Sequence, residues 1–392
     1  MKQILQHLKN GKTELVDVPA PSLSDQKILI ESTQSLLSLG TEKMLVDFGS
    51  ANILNKALKQ PDKVKQVLSK LQADGVVTTI KAVNNKLNVP IPLGYCNVGV
   101  VKKLGKGVRD FKKGDRVVSN GPHAELISVS KNLCAAIPDS VSDDEASFVV
   151  PGAIALNGIR LAKPMIGEGF VIFGLGLIGL LAVQILKAHG CKVLGIDFDE
   201  SKLKLAKQYG AQTFNPSSNE SLNAKASIFS QNNGVDGVLI CTSSDDDSII
   251  HQAASISRKR GRIILIGTSG LKISRDDFYE KELIFQVSCS YGPGRYDETY
   301  EDDGIDYPIG FVRWTEKRNF EAVLQLFKEK IINIEDMVSK RFDFCEALKA
   351  YEIIQKPNNF LGLIFLYQHK KRGKDLELTI NTKNTNFSSD FV

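Results

Sequence analysis

The chain has 392 residues, 42% of them hydrophobic and 24% charged, the composition of an ordinary soluble protein that is long enough for more than one hydrophobic core. Its 50 basic and 45 acidic residues leave a net charge of +5, too little for a nucleic-acid surface. Six scattered cysteines contain no C-x-x-C pair, which argues against a disulfide framework or a structural zinc lobe. Lys9, Lys12 and Glu14 interrupt any apolar run near Met1, so a cytoplasmic protein without membrane attachment is expected.

The first elements read as strands. Gln3 to Leu8 and Thr13 to Val18 flank Asn10-Gly11, a hairpin signal, and Lys27 to Gln34 makes a third strand. Residues 51–90 then hold seven lysines against Asp62 and Asp74, so this segment alone carries +5. Leu54, Ala57, Leu58, Val64, Val67, Leu68 and Leu71 recur there at helical spacing, as do Val76, Ile80, Val83 and Leu87. Short amphipathic helices inserted into a β-rich region are expected, their lysines forming either a solvated face or an anion funnel. Strands resume at Val98 to Leu104, Asp115 to Ser119 and Ala124 to Val129, and a helix is expected from Asp143 to Leu161.

Phe170 to Phe173 is a short apolar run that ends in Gly174-Leu175-Gly176-Leu177-Ile178-Gly179, and a helical run follows. That strand-glycine-helix order is the context a dinucleotide site requires. Gly174 permits the tight turn, Gly176 lets the backbone approach a pyrophosphate, and Gly179 lets helix and strand pack closely. The helix N-terminus at Leu177 and Ile178 offers unpaired N–H groups to phosphate. Lys192 to Ile196 is a second strand closed by Asp197, 18 residues beyond Gly179. A carboxylate there accepts from ribose hydroxyls and repels a 2′-phosphate, which favours NAD over NADP. Lys202 is a further candidate for the adenosine ribose, or an exposed helix lysine.

Val171 to Leu186 has one polar side chain, Gln184, and alone would also suit a membrane helix. The alternation that follows argues against this. It comprises a helix at Glu200 to Gln208, an extended piece near Gln212 to Asn215, a helix at Glu220 to Phe229, a strand at Val235 to Cys241, a helix at Asp246 to Ser257 and a strand at Arg262 to Gly267. Such a series predicts a doubly wound parallel sheet. Cys241-Thr242 and Gly267-Thr268 end two strands at the edge where open α/β sheets bind ligands.

Beyond these come a strand at Leu283 to Ser290, helices at Asn319 to Lys330 and Phe344 to Gln355, and a strand at Leu361 to Tyr367. Between them Arg295, Tyr296, Arg313, Trp314 and Arg318 concentrate cations and aromatics. These suit a sugar ring bearing phosphate or carboxylate, or else the arginines only pair with Glu298, Glu301, Asp302, Asp303 and Asp306. From residue 368 to 392 the chain is polar and aperiodic, and a disordered tail is expected.

Gly40-Thr41-Glu42, Gly94-Tyr95-Cys96-Asn97-Val98-Gly99, Gly114-Asp115-Arg116-Val117 and the dinucleotide motif together resemble the medium-chain dehydrogenase/reductase family, that of the alcohol dehydrogenases. The resemblance runs from Met1 to about Tyr367. It implies an α/β fold with a Rossmann doubly wound parallel sheet plus a β-rich GroES-like catalytic domain. The implied divisions are 1–150 (GroES-like, with the insertion at about 51–90), 151–290 (NAD-binding), 291–367 (return to the catalytic domain) and 368–392 (tail).

Where zinc-binding members read Cys-Gly-Thr-Asp this chain has Leu39-Gly40-Thr41-Glu42, and where they read Gly-His-Glu it has Gly94-Tyr95-Cys96. Near the third ligand stands Val150-Pro151-Gly152. Leucine and proline bind no zinc, so no bound metal is expected and side chains must handle the proton. Thr41 matches the family's relay hydroxyl. Tyr95 holds a former ligand position, where its phenol either acts as an acid/base group or fills the vacated space. Glu42 and Asn97 are candidates for orienting substrate hydroxyls.

Ser290-Tyr291-Gly292-Pro293-Gly294-Arg295-Tyr296 and Asp306-Tyr307-Pro308-Ile309-Gly310-Phe311-Val312-Arg313-Trp314-Thr315 are similar to a bacterial subgroup tied to surface-polysaccharide or sugar-nucleotide pathways. Its members are often fused to a glucose–fructose oxidoreductase-like domain. This chain stops soon after Tyr367, so a separate partner of that kind is expected, as is a homo-oligomer. The function expected is zinc-independent, NAD-dependent hydride transfer on a sugar, polyol or sugar nucleotide. A quinone or enone reductase would prefer NADPH, against Asp197, and a non-catalytic NAD-binding partner would bind cofactor without turnover.

Overall fold

The computed structural model describes residues 1–50 and 89–368. The helices expected within 51–88, the tail from 369 onward and the side chain of Thr41 lie outside the described residues.

In chain order the N-terminal elements are β1 (Lys2–Gln6), β2 (Thr13–Asp17), β3 (Lys27–Ser38), α1 (Leu39–Ser50) and β4 (Ile91–Pro92). They are followed by β5 (Asn97–Leu104), β6 (Arg116–Ser119), β7 (Leu126–Ser130) and β8 (Cys134–Ala136). β1 and β2 form the expected antiparallel hairpin. β3 runs four residues past Gln34, because Leu36, Leu37 and Ser38 continue to pair with residues 362–364 near the end of the chain.

A single helix was expected from Asp143 to Leu161. The structure breaks it at Phe148 (φ −95°, ψ 2°) into α2 (Asp143–Ser147) and α3 (Val149–Ala162). Ser142 caps α2 in a reciprocal box with Glu145. Pro151 has no N–H to give Ser147 four residues back, and that carbonyl instead accepts the Cys96 thiol at 2.7 Å.

The second half alternates β9 (Gly169–Phe173), α4 (Leu177–Ala188), β10 (Lys192–Ile196), α5 (Glu200–Gln208), β11 (Gln212–Phe214), α6 (Leu222–Phe229), β12 (Val235–Ile240), α7 (Ser248–Ile256), β13 (Ser257–Leu265), α8 (Arg275–Tyr279) and β14 (Ile284–Val287). Its six strands lie in the order β11-β10-β9-β12-β13-β14, all parallel. The chain reverses its direction of winding between β9 and β12, so a crevice opens at their carboxyl ends. β13 begins at Ser257, not Arg262, because Arg260 takes a left-handed turn (φ 58°) inside the extended run.

The return segment holds α9 (Glu298–Glu301), α10 (Glu316–Lys328), β15 (Val338–Asp343), α11 (Ala347–Ile354) and β16 (Gly362–Leu366). β15 was not expected from the sequence, its polar residues giving no alternation; it is held by parallel pairing to β16. β16 pairs in turn with β3, completing a seven-stranded sheet that the N- and C-terminal parts build together. α3 lies between α4 and α10 and carries a continuous apolar core from one sheet to the other. Among the described residues no helix is long and apolar enough to cross a membrane.

Candidate active site

The glycine turn between β9 and α4 divides its tasks by position. Gly174 has φ +88°, and a Cβ there would lie 3.0 Å from the Thr242 backbone nitrogen, so the turn sits tightly on the end of β12. A Cβ on Gly179 would lie 2.0 Å from the Gly174 carbonyl oxygen, whereas one on Gly176 would meet nothing within 4 Å. Gly179 therefore serves packing, and Gly176 borders open space. Gly176 is also the N-cap of α4 and supplies no side-chain cap, leaving the first N–H groups of a 12-residue helix, at Leu177 and Ile178, for an external anion.

Around this turn the other expected residues gather. The Asp197 carboxylate accepts from Leu175 N at 2.8 Å and Asp199 N at 3.0 Å, and Lys202 Nζ lies 4.0 Å from it. Cys241 N donates to Phe173 O at 2.8 Å, and Thr268 N donates to Thr242 O at 2.9 Å. A Cβ on Gly267 would lie 2.0 Å from that same Thr242 oxygen. Burial pushes the Cys241 thiol up to about 12, and the buried Thr242 hydroxyl has no hydrogen-bond partner among the described residues. An open helix N-terminus, a ribose-ready carboxylate and an orphaned hydroxyl at one edge fit a dinucleotide.

Facing this edge is one end of the seven-stranded sheet. Leu36 N donates to Cys96 O at 3.1 Å and Asn97 pairs with Ser119, so Leu39, Tyr95 and Asn120 leave their strands at the same end. Leu39 and Tyr95 are half-buried and pack on apolar clusters.

Glu42 and Asn97, expected to orient substrate hydroxyls, are both closed off from solvent. The fully buried Glu42 carboxylate accepts from Tyr351 Oη at 2.6 Å and Ser38 N at 3.2 Å, and lies 3.1 Å from His123 Nε2. His123 Nδ1 is 2.7 Å from Ser35 Oγ, which meets Tyr367 Oη at 2.8 Å. Burial and the Glu42 charge hold the Tyr351 phenol well above the tyrosine range. Asn97, also fully buried, donates to Ser32 Oγ at 2.8 Å. The Glu42 carboxylate is consumed in joining β3, α1 and the 119–123 turn, whereas the Asn97 amide nitrogen ties β5 to β3 and its carbonyl oxygen has no hydrogen-bond partner among the described residues.

The donors at the expected ligand positions do not suit zinc. Leu39 has none. The Cys96 thiol is spent on Ser147 O and pushed by burial up to about 12, whereas zinc takes the thiolate. Among the described residues no three His, Cys, Asp or Glu side chains come together as a metal-holding group.

The return segment divides its cations. Arg318 pairs with Asp306, and Arg295 pairs with Glu301 while stacking 4.1 Å over the Tyr296 ring. For these two the ion-pair alternative holds. Arg313 instead lies 3.8 Å over Trp314, and the Arg160 guanidinium lies 3.4 Å over the same ring. Burial, and then Arg313, lower the Arg160 guanidinium to about 10. Arg160 read as an ordinary helix arginine in the sequence; its partner lies 154 positions away, where no local signal could show it.

Comparison with known proteins gives two family matches, a zinc-binding dehydrogenase model over residues 178–303 and an alcohol dehydrogenase GroES-like domain over residues 65–148. The chain is 26% identical over 311 residues to a probable D-xylulose reductase A of Neosartorya fischeri, covering 70% of this chain and 80% of that protein. It is 26% identical over 270 residues to D-guloside 3-dehydrogenase of Escherichia coli, covering 66% and 72% respectively. Among solved structures, galactitol-1-phosphate dehydrogenase from Escherichia coli superposes with a TM-score of 0.71 at 20% identity, over 93% of this chain and 100% of that one.

Proposed function

Because the chain belongs to the alcohol dehydrogenase-like superfamily of medium-chain dehydrogenases/reductases, we propose that it is an NAD-dependent, zinc-independent oxidoreductase of a sugar, polyol or sugar nucleotide. The observation that carries this reading is the open space at Gly176 beside the Asp197 carboxylate. Gly174, Gly176, Gly179, Leu177 and Ile178 would hold the pyrophosphate, and Asp197 with Lys202 the adenosine ribose. Thr242, Gly267 and Thr268 would border the nicotinamide side. Bound nicotinamide supplies the hydride donor or acceptor. Relatives that act on sugars and polyols support the substrate class, and the exposed Arg313 beside Trp314 suits a sugar carrying an anionic group.

Zinc independence rests on Leu39 and on the spent Cys96 thiol. In a zinc enzyme the metal acidifies the alcohol; here a side chain must do so, and Thr41 and Tyr95 remain candidates by position. The test is turnover with NAD, NADP and their reduced forms against a panel of polyols and sugar nucleotides, with metal analysis of the same preparation. NAD-linked turnover that survives chelation is expected. About one tightly held zinc per chain, or preference for NADPH, would overturn it. We also propose a homo-oligomer and a separate glucose–fructose oxidoreductase-like partner, to be sought by size-exclusion and co-purification.

A further inference from the structure

Tyr291 is where the two functional edges touch. It stands four residues past the end of β14, beyond the carboxyl edge of the parallel sheet, and two asparagine amides hold the segment around it. Asn157 Nδ2 donates to Ser288 Oγ at 2.9 Å and Ser290 O at 3.3 Å, and Asn319 Nδ2 donates to Tyr291 O at 2.8 Å. The ring packs on Phe320 with centroids 5.2 Å apart. Its hydroxyl reaches across to the other sheet, where Asn120 Nδ2 donates to it at 3.0 Å. Asn120 leaves β6 at the same end where Leu39 and Tyr95 leave theirs.

The direction of that hydrogen bond matters. An amide nitrogen only donates, so the phenol oxygen is the acceptor, and the phenol's own hydrogen remains available. Among the described residues no hydrogen bond uses it. Behind the ring the Arg295 guanidinium lies 5.8 Å from the centroid, where its charge would favour a transient phenolate.

We propose that Tyr291 gives and takes the proton of the substrate oxygen, with Asn120 as its positioning residue; this rests on the hydride-transfer reading above. In reduction the substrate carbonyl carbon receives the hydride from the reduced nicotinamide. The C=O π pair moves onto oxygen, which takes the phenol hydrogen. The phenolate left beside Arg295 regains a proton from solvent, and oxidation runs the same transfers backwards. Burial holds the Tyr291 phenol above its ordinary range, Arg295 lowers it, and Glu316 and Glu301 oppose Arg295. The group is thus a donor at neutral pH, which suits the reducing direction.

The test compares wild type with Tyr291→Phe and Asn120→Ala, reading NADH affinity by fluorescence, kcat against pH, and tyrosine ionisation by ultraviolet difference absorbance with and without NAD. Tyr291→Phe is expected to bind NADH as wild type does and to lose about 100-fold or more in kcat. Asn120→Ala is expected to lose less and to displace the alkaline limb of the kcat profile. The positive nicotinamide of NAD should make one tyrosine ionise at lower pH in wild type, a change absent from Tyr291→Phe. If that change appears but no panel compound turns over, the substrate reading fails and the placement of Tyr291 stands. Turnover of Tyr291→Phe within about threefold of wild type overturns the proposal, as does an ionisation change that persists without Tyr291. An unaltered pH profile in Asn120→Ala overturns it too, even where Tyr291→Phe does not fold.

Discussion

One oxygen of the Asp197 carboxylate accepts the backbone N–H of Leu175 at 2.8 Å. The group proposed to discriminate the ribose thus also holds the middle of the glycine turn, and the two tasks separate by substitution. Asp197→Asn keeps an acceptor for Leu175 but removes the charge that repels a 2′-phosphate. The ratio of kcat/KM for NAD over NADP is expected to fall by about tenfold, close to 1.4 kcal/mol, with little change in melting. Asp197→Ala, lacking the acceptor, should also weaken NADH binding. An unchanged cofactor ratio in the asparagine variant would remove Asp197 from discrimination.

The glycines of the same turn should fail in different ways. Gly179→Ala drives a methyl against the Gly174 carbonyl, 2.0 Å from its oxygen, and overpacking of this kind costs about 1–3 kcal/mol or more. Gly176→Ala meets no protein atom within 4 Å, so its fold should be undisturbed while its methyl intrudes where a pyrophosphate would lie. Thermal melts and NADH titrations of both variants distinguish these outcomes. Equal melting losses, or wild-type NADH affinity in Gly176→Ala, would contradict this division.

The turn was legible in the sequence because its glycines stand at fixed short spacings between one strand and the helix that follows, and the strand-helix alternation around it is likewise local; the approach of Gly174 to Thr242 is not. Tyr95 could be placed at a former ligand position, but not its packing. Glu42 misled for a related reason: its partners His123 and Tyr351 lie 81 and 309 residues away. A carboxylate in a motif looks available until the fold delivers a buried imidazole and phenol to it. Tyr291 belonged to a recognisable run, yet its hydroxyl acquires meaning only from Asn120, 171 residues earlier.

That buried network sets a stability expectation. Glu42→Ala leaves His123 Nε2 and the Tyr351 hydroxyl facing a cavity without their shared partner, and each buried polar group left unanswered costs about 1–3 kcal/mol. Tyr351→Phe removes a single charge-assisted hydrogen bond and should cost about 1.5–3 kcal/mol. Urea denaturation gives both values. A Glu42→Ala protein that melts like wild type but shows a raised KM would return Glu42 to the substrate site.

Glu316 carries the clearest pH dependence. It is fully buried at the start of α10, with its carboxyl beside Glu301 and Arg295. Burial first, and the neighbouring Glu301 charge second, raise it from 4.5 to about 9 against the pull of Arg295. Between those two values the folded protein keeps a proton that the unfolded chain has released. Its contribution to stability is therefore full below 4.5 and is lost as pH rises towards 9. Glu316→Gln removes this titration, and its amide can donate to Glu301. The variant should match wild type near about pH 5 and exceed it by at least about 1 kcal/mol near pH 8.5. Urea denaturation at both pH values measures the difference. Parallel behaviour of the two proteins across that window would mean that Glu316 is ionised in the fold and has found a cation or water to answer it.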